Sequence, residues 1–214
     1  MNTSYLSPWP IFGASSGVGL SLVQQGLEKS RTIHALVRSP EKSAMLRAMG
    51  VNVIEGDAVN AKQVEQACVS AGANARIIST LGSLQADYAG NRLVIDTAER
   101  CGMKYMLLVT SIGCNETWGT LSARALQSFG HAVREKSLAE SWLRTSSLHW
   151  CIVRPGGLKH GGASGRSIRI EGEAHGLIYR SDVAQQICQL IDDEHAYGHT
   201  YALIDPTLKL LNKI

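Results

Sequence analysis

The chain has 214 residues, 44% of them hydrophobic and 18% charged, with a formal net charge of +3. That is enough apolar chain for one full core of about 200 residues, and no long Lys/Arg run is present to neutralise a phosphate backbone, which argues against nucleic acid as a partner. Five cysteines (Cys68, Cys101, Cys114, Cys151, Cys188) without a C-x-x-C pair fit reduced thiols in a cytoplasm and suggest no zinc site, and no stretch reaches the ~20 apolar residues of a membrane span.

Residues 1–10 lack a basic and then apolar leader, so the expectation is a cytoplasmic protein with no membrane partner and no metal. The first strand candidate follows Pro8 and Pro10, which cannot donate a ladder hydrogen bond, so pairing is predicted from about Ile11 onward. A helix-period segment, Leu20 to Glu28, comes next. The apolar run "TIHALV" (Thr32–Val37) precedes a helix over Pro40–Ala48, with Pro40 at the opening position. "VNVIEG" (Val51–Gly56) and a helix over Ala61–Ser70 follow, then "ARIIST" (Ala75–Thr80) and a helix over Ala86–Arg100. "YMLLVT" (Tyr105–Thr110), a helix over Ala123–Arg144 and "LHWCIV" (Leu148–Val153) complete the series. Strands that read as nearly continuous apolar runs are covered on both faces, and this alternation implies an α/β fold: a Rossmann-type doubly wound parallel sheet in a single domain. Residues 156–175, with six glycines, read as a mobile loop on the substrate side that extends to about residue 180.

The stretch "IFGASSGVGL" (Ile11–Leu20) puts three glycines and two serines between an apolar pair and a helix-like run. In a βαβ unit, the turn leaving the first strand brings free N–H groups and the positive end of a helix dipole to one point, which suits a pyrophosphate. Gly13 permits the tight turn, Gly17 with Val18 beside it lets phosphates approach the backbone, and Gly19 lets the helix pack close to the sheet. Ser15 and Ser16 add hydroxyl donors or an N-cap. The spacing G-x-x-x-G-x-G departs from G-x-G-x-x-G, so the turn alone also fits a loop without ligand; the βαβ pattern after it favours a dinucleotide.

Seven segments together carry a resemblance: "GASSGVG" (Gly13–Gly19), "ALVRSPEK" (Ala35–Lys42), "VIEGDAVN" (Val53–Asn60), "STLGS" (Ser79–Ser83), "LLVTSIG" (Leu107–Gly113), "KSLAESWLRTSSLHWCIVRPGGL" (Lys136–Leu158) and "RSDVAQQI" (Arg180–Ile187). Over almost its whole length the chain resembles the short-chain dehydrogenase/reductase superfamily. The nearer likeness is to the atypical, NmrA-like branch that includes biliverdin IX-beta reductase/flavin reductase. The resemblance implies an NAD(P)-binding Rossmann fold and says little about substrate.

The second strand ends in Arg38 and Ser39, where an NAD-specific site usually has a carboxylate for the ribose 2′-hydroxyl. A guanidinium there can grip a 2′-phosphate, which points to NADP(H), or it can stand as a solvated charge. Asp57, with Ala58 beside it, resembles the family residue that contacts the adenine amino group; alternatively it caps the following helix. By the same analogy the backbone of Thr80, Leu81 and Gly82 passes the nicotinamide side, as does "RPGGL", which places Pro155, Gly156, Gly157 and Leu158 there.

Many members of the superfamily use a serine after the fifth strand and a Y-x-x-x-K pair on the next helix. The lysine lowers the tyrosine pKa so that the phenol exchanges a proton during hydride transfer. Ser111 matches the serine and Lys136 the lysine, but Ala132 stands where the tyrosine belongs, and His131 points away from that face. Lys136 is then a holder of the nicotinamide ribose, or a surface charge paired with Glu140 one turn on. His160, Arg166 and Arg169 are candidates to meet an anionic substrate or are solvated, Trp118 and Tyr179 are candidates to line a flat pocket, and Trp142 with Leu138 reads as core. Three functions stay open. One is an NADPH-dependent reductase of a small aromatic, flavin-like or quinone-like substrate that takes its proton from solvent. The others are a non-catalytic NADP(H)-binding regulator and an isomerase or cyclase using the same pocket. The expected partner is a small molecule, and the expected assembly a monomer or homodimer.

Overall fold

The computed structural model describes residues 6–83 and 85–209. Its main sheet has eight strands in the order β3-β2-β1-β4-β5-β6-β10-β8. These are β1 (Trp9–Phe12), β2 (Ile33–Val37), β3 (Asn52–Glu55), β4 (Arg76–Ser79), β5 (Tyr105–Val109), β6 (His149–Pro155), β8 (Ile168–Glu171) and β10 (Thr200–Ile204). All neighbours pair in parallel except β8, which runs antiparallel to β10 at one edge. The strand order reverses between β1 and β4, and in such sheets a crevice opens outside the carboxyl ends of the two strands. Among the described residues, no helix is long and apolar enough to cross a membrane.

The period-two geometry of a strand sends successive side chains to opposite faces. Ile11 and Leu107 pack on one face, with helices α1 (Gly17–Glu28), α2 (Pro40–Ala48) and α6 (Arg180–Leu190) contributing Leu22, Leu46 and Ile187. Phe12 and Leu108 pack on the other, with α3 (Ala61–Ala71), α4 (Ala89–Arg100) and α5 (Ala123–Arg144) contributing Val64, Ile95 and Leu143. Every one of these side chains is at most 1% exposed. Both faces of the inner strands are therefore sealed, and this is why β1, β2, β4, β5 and β6 read as nearly continuous apolar runs, whereas the edge strands β3 and β8 are largely exposed.

The two prolines behave differently on the two sides of β1. Toward β2 the pairing begins at Trp9, whose N–H donates to Thr32 O at 2.9 Å. Toward β4 the register starts only at Ile11. Alternation turns Pro8 and Pro10 toward β4, so the missing donors lie on that side alone, and Pro8 O still accepts from Arg76 N. The expectation of pairing from Ile11 thus holds for one neighbour and fails for the other.

The glycine-rich stretch is not irregular throughout. It contains β7 (Gly157–Lys159), which pairs in parallel with β9 (Leu177–Tyr179), and also β8. Its tip is pinned: Asp182, fully buried, accepts from Ser164 N at 2.9 Å and Gly165 N at 3.0 Å, and Ser164 Oγ reaches Asp205 at 2.5 Å. Trp142 and Leu138 are not core, being 37% and 51% exposed. The Trp142 indole N–H donates to Asp96 at 2.7 Å, and the Arg92 guanidinium lies 4.3 Å from the ring centroid, so this aromatic is satisfied at the surface.

Candidate functional site

The β1–α1 turn is built around what glycine lacks. Gly13 has φ +89°, and a Cβ there would stand 2.6 Å from Thr80 Oγ1. A Cβ on Gly19 would stand 2.1 Å from Gly13 O. Thr80 clamps the same turn, its N–H donating to Phe12 O at 2.8 Å and its hydroxyl lying 3.2 Å from both Phe12 O and Gly13 O. Gly17 differs. At φ +56° it meets nothing closer than Arg180 Nε at 3.6 Å, so its open side faces a cleft. Ser16 occupies the N-cap position of α1 without making a side-chain cap bond, which leaves its hydroxyl and the first amides of the helix pointing into that space.

The cleft has a volume of about 420 Å³ and runs across the carboxyl ends of β2, β1, β4 and β5. Gly13, Ser15, Ser16, Gly17 and Val18 form its middle, Arg38, Ser39, Asp57 and Ala58 one end, and Thr80, Leu81, Gly82, Lys136 and Leu158 the other. Ser111, Pro155, Gly156 and Gly157 do not line it. In their place Val109 and Thr110 form the wall after β5. Gly156 serves packing, since a Cβ there would stand 2.4 Å from Gly176 O.

At the Arg38 end, the guanidinium is 63% exposed and its Nη1 stands 3.7 Å from Asp57 Oδ2. Ser39 caps α2 by accepting from Lys42 N at 3.4 Å, and Lys42 itself lines the cleft. Asp57 does not cap α3; Asn60 does, accepting from Gln63 N at 3.3 Å, while Asp57 Oδ1 accepts from Val59 N at 3.2 Å. The second carboxylate oxygen is left to face Arg38 at the edge of the cleft.

At the other end, Lys136 Nζ donates to Asp87 Oδ1 at 2.6 Å and to Leu81 O at 3.2 Å. Its partner is Asp87, 3% exposed, and not Glu140. Glu140 is fully buried and belongs to a separate network: it accepts from Thr110 Oγ1, Asn115 Nδ2 and Arg154 Nη2, each at 2.6 Å, and from Arg154 Nε at 3.0 Å. Arg154 also donates to Glu116, and those bonds hold the Glu116 carboxyl below its usual range. This network fixes Thr110 and hence the cleft wall. His131 is exposed and Ala132 half-buried on α5, so no phenol or imidazole lies one turn before Lys136. Among the described residues, no cluster of three or more His, Cys, Asp or Glu could hold a metal.

Residues 13–194 match the NAD(P)H-binding family. The chain belongs to that family. ChuY of Escherichia coli, an anaerobillin reductase, is 45% identical, with a TM-score of 0.89 covering 95% of this chain and 99% of ChuY. The uncharacterized sugar epimerase YhfK of Bacillus subtilis is 27% identical over 219 residues, 95% of this chain and 98% of its own. A short-chain dehydrogenase/reductase of Veillonella parvula in complex with NADP shares the fold, with a TM-score of 0.74 at 19% identity over 95% of this chain and 97% of that one.

The family's cofactor fits what the cleft presents. Of the turn's three glycines, Gly17 is the one at which a side chain would project into open cleft, and bare helix amides stand beside it. Residue-by-residue reading missed Lys42, Asp87, Thr110 and Arg180. Lys42 and Arg180 lie within quoted motifs and carried a charge signal; Asp87 carried none, because only the fold brings it to Lys136.

Proposed function

We propose that this chain is an NADPH-dependent reductase whose substrate is a linear tetrapyrrole. The observation that carries the reading is the 45% identity to the anaerobillin reductase ChuY across 99% of that protein. When bound, the cofactor supplies a hydride. The chain's own residues bind and orient. The α1 amides and Ser16 meet the phosphates, Arg38 with Lys42 meets the 2′-phosphate, and Asp57 faces the adenine amino group. Lys136, steadied by Asp87, holds the nicotinamide ribose. Ala132 in place of a tyrosine suits a conjugated acceptor whose proton comes from water, and it disfavours the sugar chemistry suggested by YhfK, which calls for a positioned proton carrier.

The test is stopped-flow absorbance at the reduced-nicotinamide band under anaerobic conditions, with a linear tetrapyrrole, a flavin, a quinone and a nucleotide sugar offered in turn. NADPH oxidation is expected with the tetrapyrrole and none with the nucleotide sugar. Ser111→Ala, standing outside the cleft wall, should slow turnover only moderately. If NADPH binds and every acceptor leaves it unoxidised, the reductase reading falls in favour of a cofactor-binding regulator.

A further inference from the structure

We infer that Arg180 closes over the bound dinucleotide and grips its pyrophosphate from the side opposite the glycine turn; this rests on reading the cleft as the dinucleotide site. Arg180 is the first residue of α6, directly after β9, and lines the cleft. Its Nε and Cδ lie 3.6 and 3.7 Å from the point a Cβ on Gly17 would occupy. The guanidinium therefore hangs over the one glycine of the turn whose missing side chain opens onto the cleft. Gly13 and Gly19, by contrast, are filled in by Thr80 and by the turn's own backbone.

The remaining bonds of this arginine leave it free for the task. Among the described residues it forms no ion pair, whereas Arg38 faces Asp57 and Lys136 faces Asp87. Among the same residues its side chain makes one hydrogen bond, from Nη1 to Leu158 O at 3.4 Å, a long contact with a neutral acceptor. A guanidinium has five N–H donors, so nearly all of its capacity is unspent. An unpaired planar fork on one side and bare helix amides on the other define a slot for an anion with oxygens on two faces, which a diphosphate has and a single carboxylate lacks. The bond to Leu158 adds a link, because the residue that grips the phosphates also touches β7. α6 is a firm base for it: Gln25 of α1 donates to Ser181 O at 3.0 Å, tying the helix that carries Arg180 to the helix that carries the turn.

The test is calorimetric titration of the whole chain with NADPH, NADH and adenosine 2′-monophosphate, in the wild type, Arg180→Met and Arg180→Lys. Arg180→Met should weaken NADPH and NADH by the same factor, about 10- to 100-fold, as expected for charge-assisted bonds to one phosphate group. It should leave adenosine 2′-monophosphate, which has no pyrophosphate, unchanged. Arg180→Lys should recover part of the loss, and the unliganded variants should melt like the wild type. Unchanged NADPH and NADH affinities in Arg180→Met would overturn the inference. So would a loss confined to NADPH, which would move the arginine to the 2′-phosphate, or a raised tetrapyrrole KM with nucleotide affinity intact, which would move it to the substrate. A wild type that binds no nucleotide removes the cofactor reading together with this one, whereas a wild type that binds NADPH and reduces nothing removes only the reductase reading.

Discussion

Arg154→Met should be among the most damaging single substitutions in the protein, although it touches no part of the cleft directly. Arg154 is 1% exposed and supplies two of the four short bonds that Glu140 accepts. Without it, a fully buried carboxylate keeps the hydroxyl of Thr110 and the amide of Asn115 at hydrogen-bond distance, and only the partly exposed Arg144 guanidinium, 3.8 Å away, as a cation. Removing one partner of a buried ion pair costs about 3–5 kcal/mol, because the other charge stays desolvated. For a chain of this size each kcal/mol moves Tm by about 2–4 °C, so a drop of about 6–20 °C is expected in a calorimetric melt. The double variant Arg154→Met/Glu140→Leu removes the stranded charge and should recover most of that loss, since apolar replacement of a buried pair is often neutral. If the double variant melts as low as the single one, or the single variant melts within 2 °C of the wild type (about 1 kcal/mol or less), the network contributes packing only and the reasoning fails.

Two further outcomes are expected. NADPH should bind at least tenfold more tightly than NADH, about 1.4 kcal/mol, and Arg38→Ala should erase most of that gap in the same titrations; equal wild-type affinities would remove Arg38 from the cofactor site. Burial pushes the thiols of Cys68, Cys114 and Cys151 up to about 12 and that of Cys188 up to about 11, so a thiol-reactive dye at pH 8 should label at most the half-buried Cys101 quickly. All five should react once the chain is unfolded, and two fast thiols in the folded protein would contradict the packing described.

Where the fold was legible in the sequence, the signals were local. α2 and α5 begin at Pro40 and Ala123, as Pro40 and the helix period announce, and the structure adds the caps Ser39 and Ser122, contacts between residues three apart in the chain. β8 was not legible: "IRIE" alternates charged residues with isoleucine and becomes a strand only through its pairing with β10. Leu138 and Trp142 mislead for the opposite reason. Their i, i+4 spacing copies a core stripe, but Arg92 and Asp96 of the neighbouring helix finish the indole at the surface. In the site, the glycine turn and Arg38 were readable because each shows its chemistry at one position. The Asp87–Lys136 pair, 49 residues apart, and the inward bond of Thr110 were not, since both depend on how distant elements meet.

The position of β10 has a consequence for how the molecule is made. This strand comes after β8 in the chain, yet lies between β6 and β8 in the sheet. During vectorial synthesis, β1 to β6 can pair as they emerge, but β8 has nothing to pair with until residues 200–204 arrive. Until that moment the growing chain displays the bare flank of β6 to its surroundings. The pinning of Ser164 by Asp205, just beyond β10, is completed at the same late stage. The glycine-rich segment therefore takes its final shape last, and a ribosome-bound chain ending before residue 200 should present a finished nucleotide turn beside an unfinished substrate side.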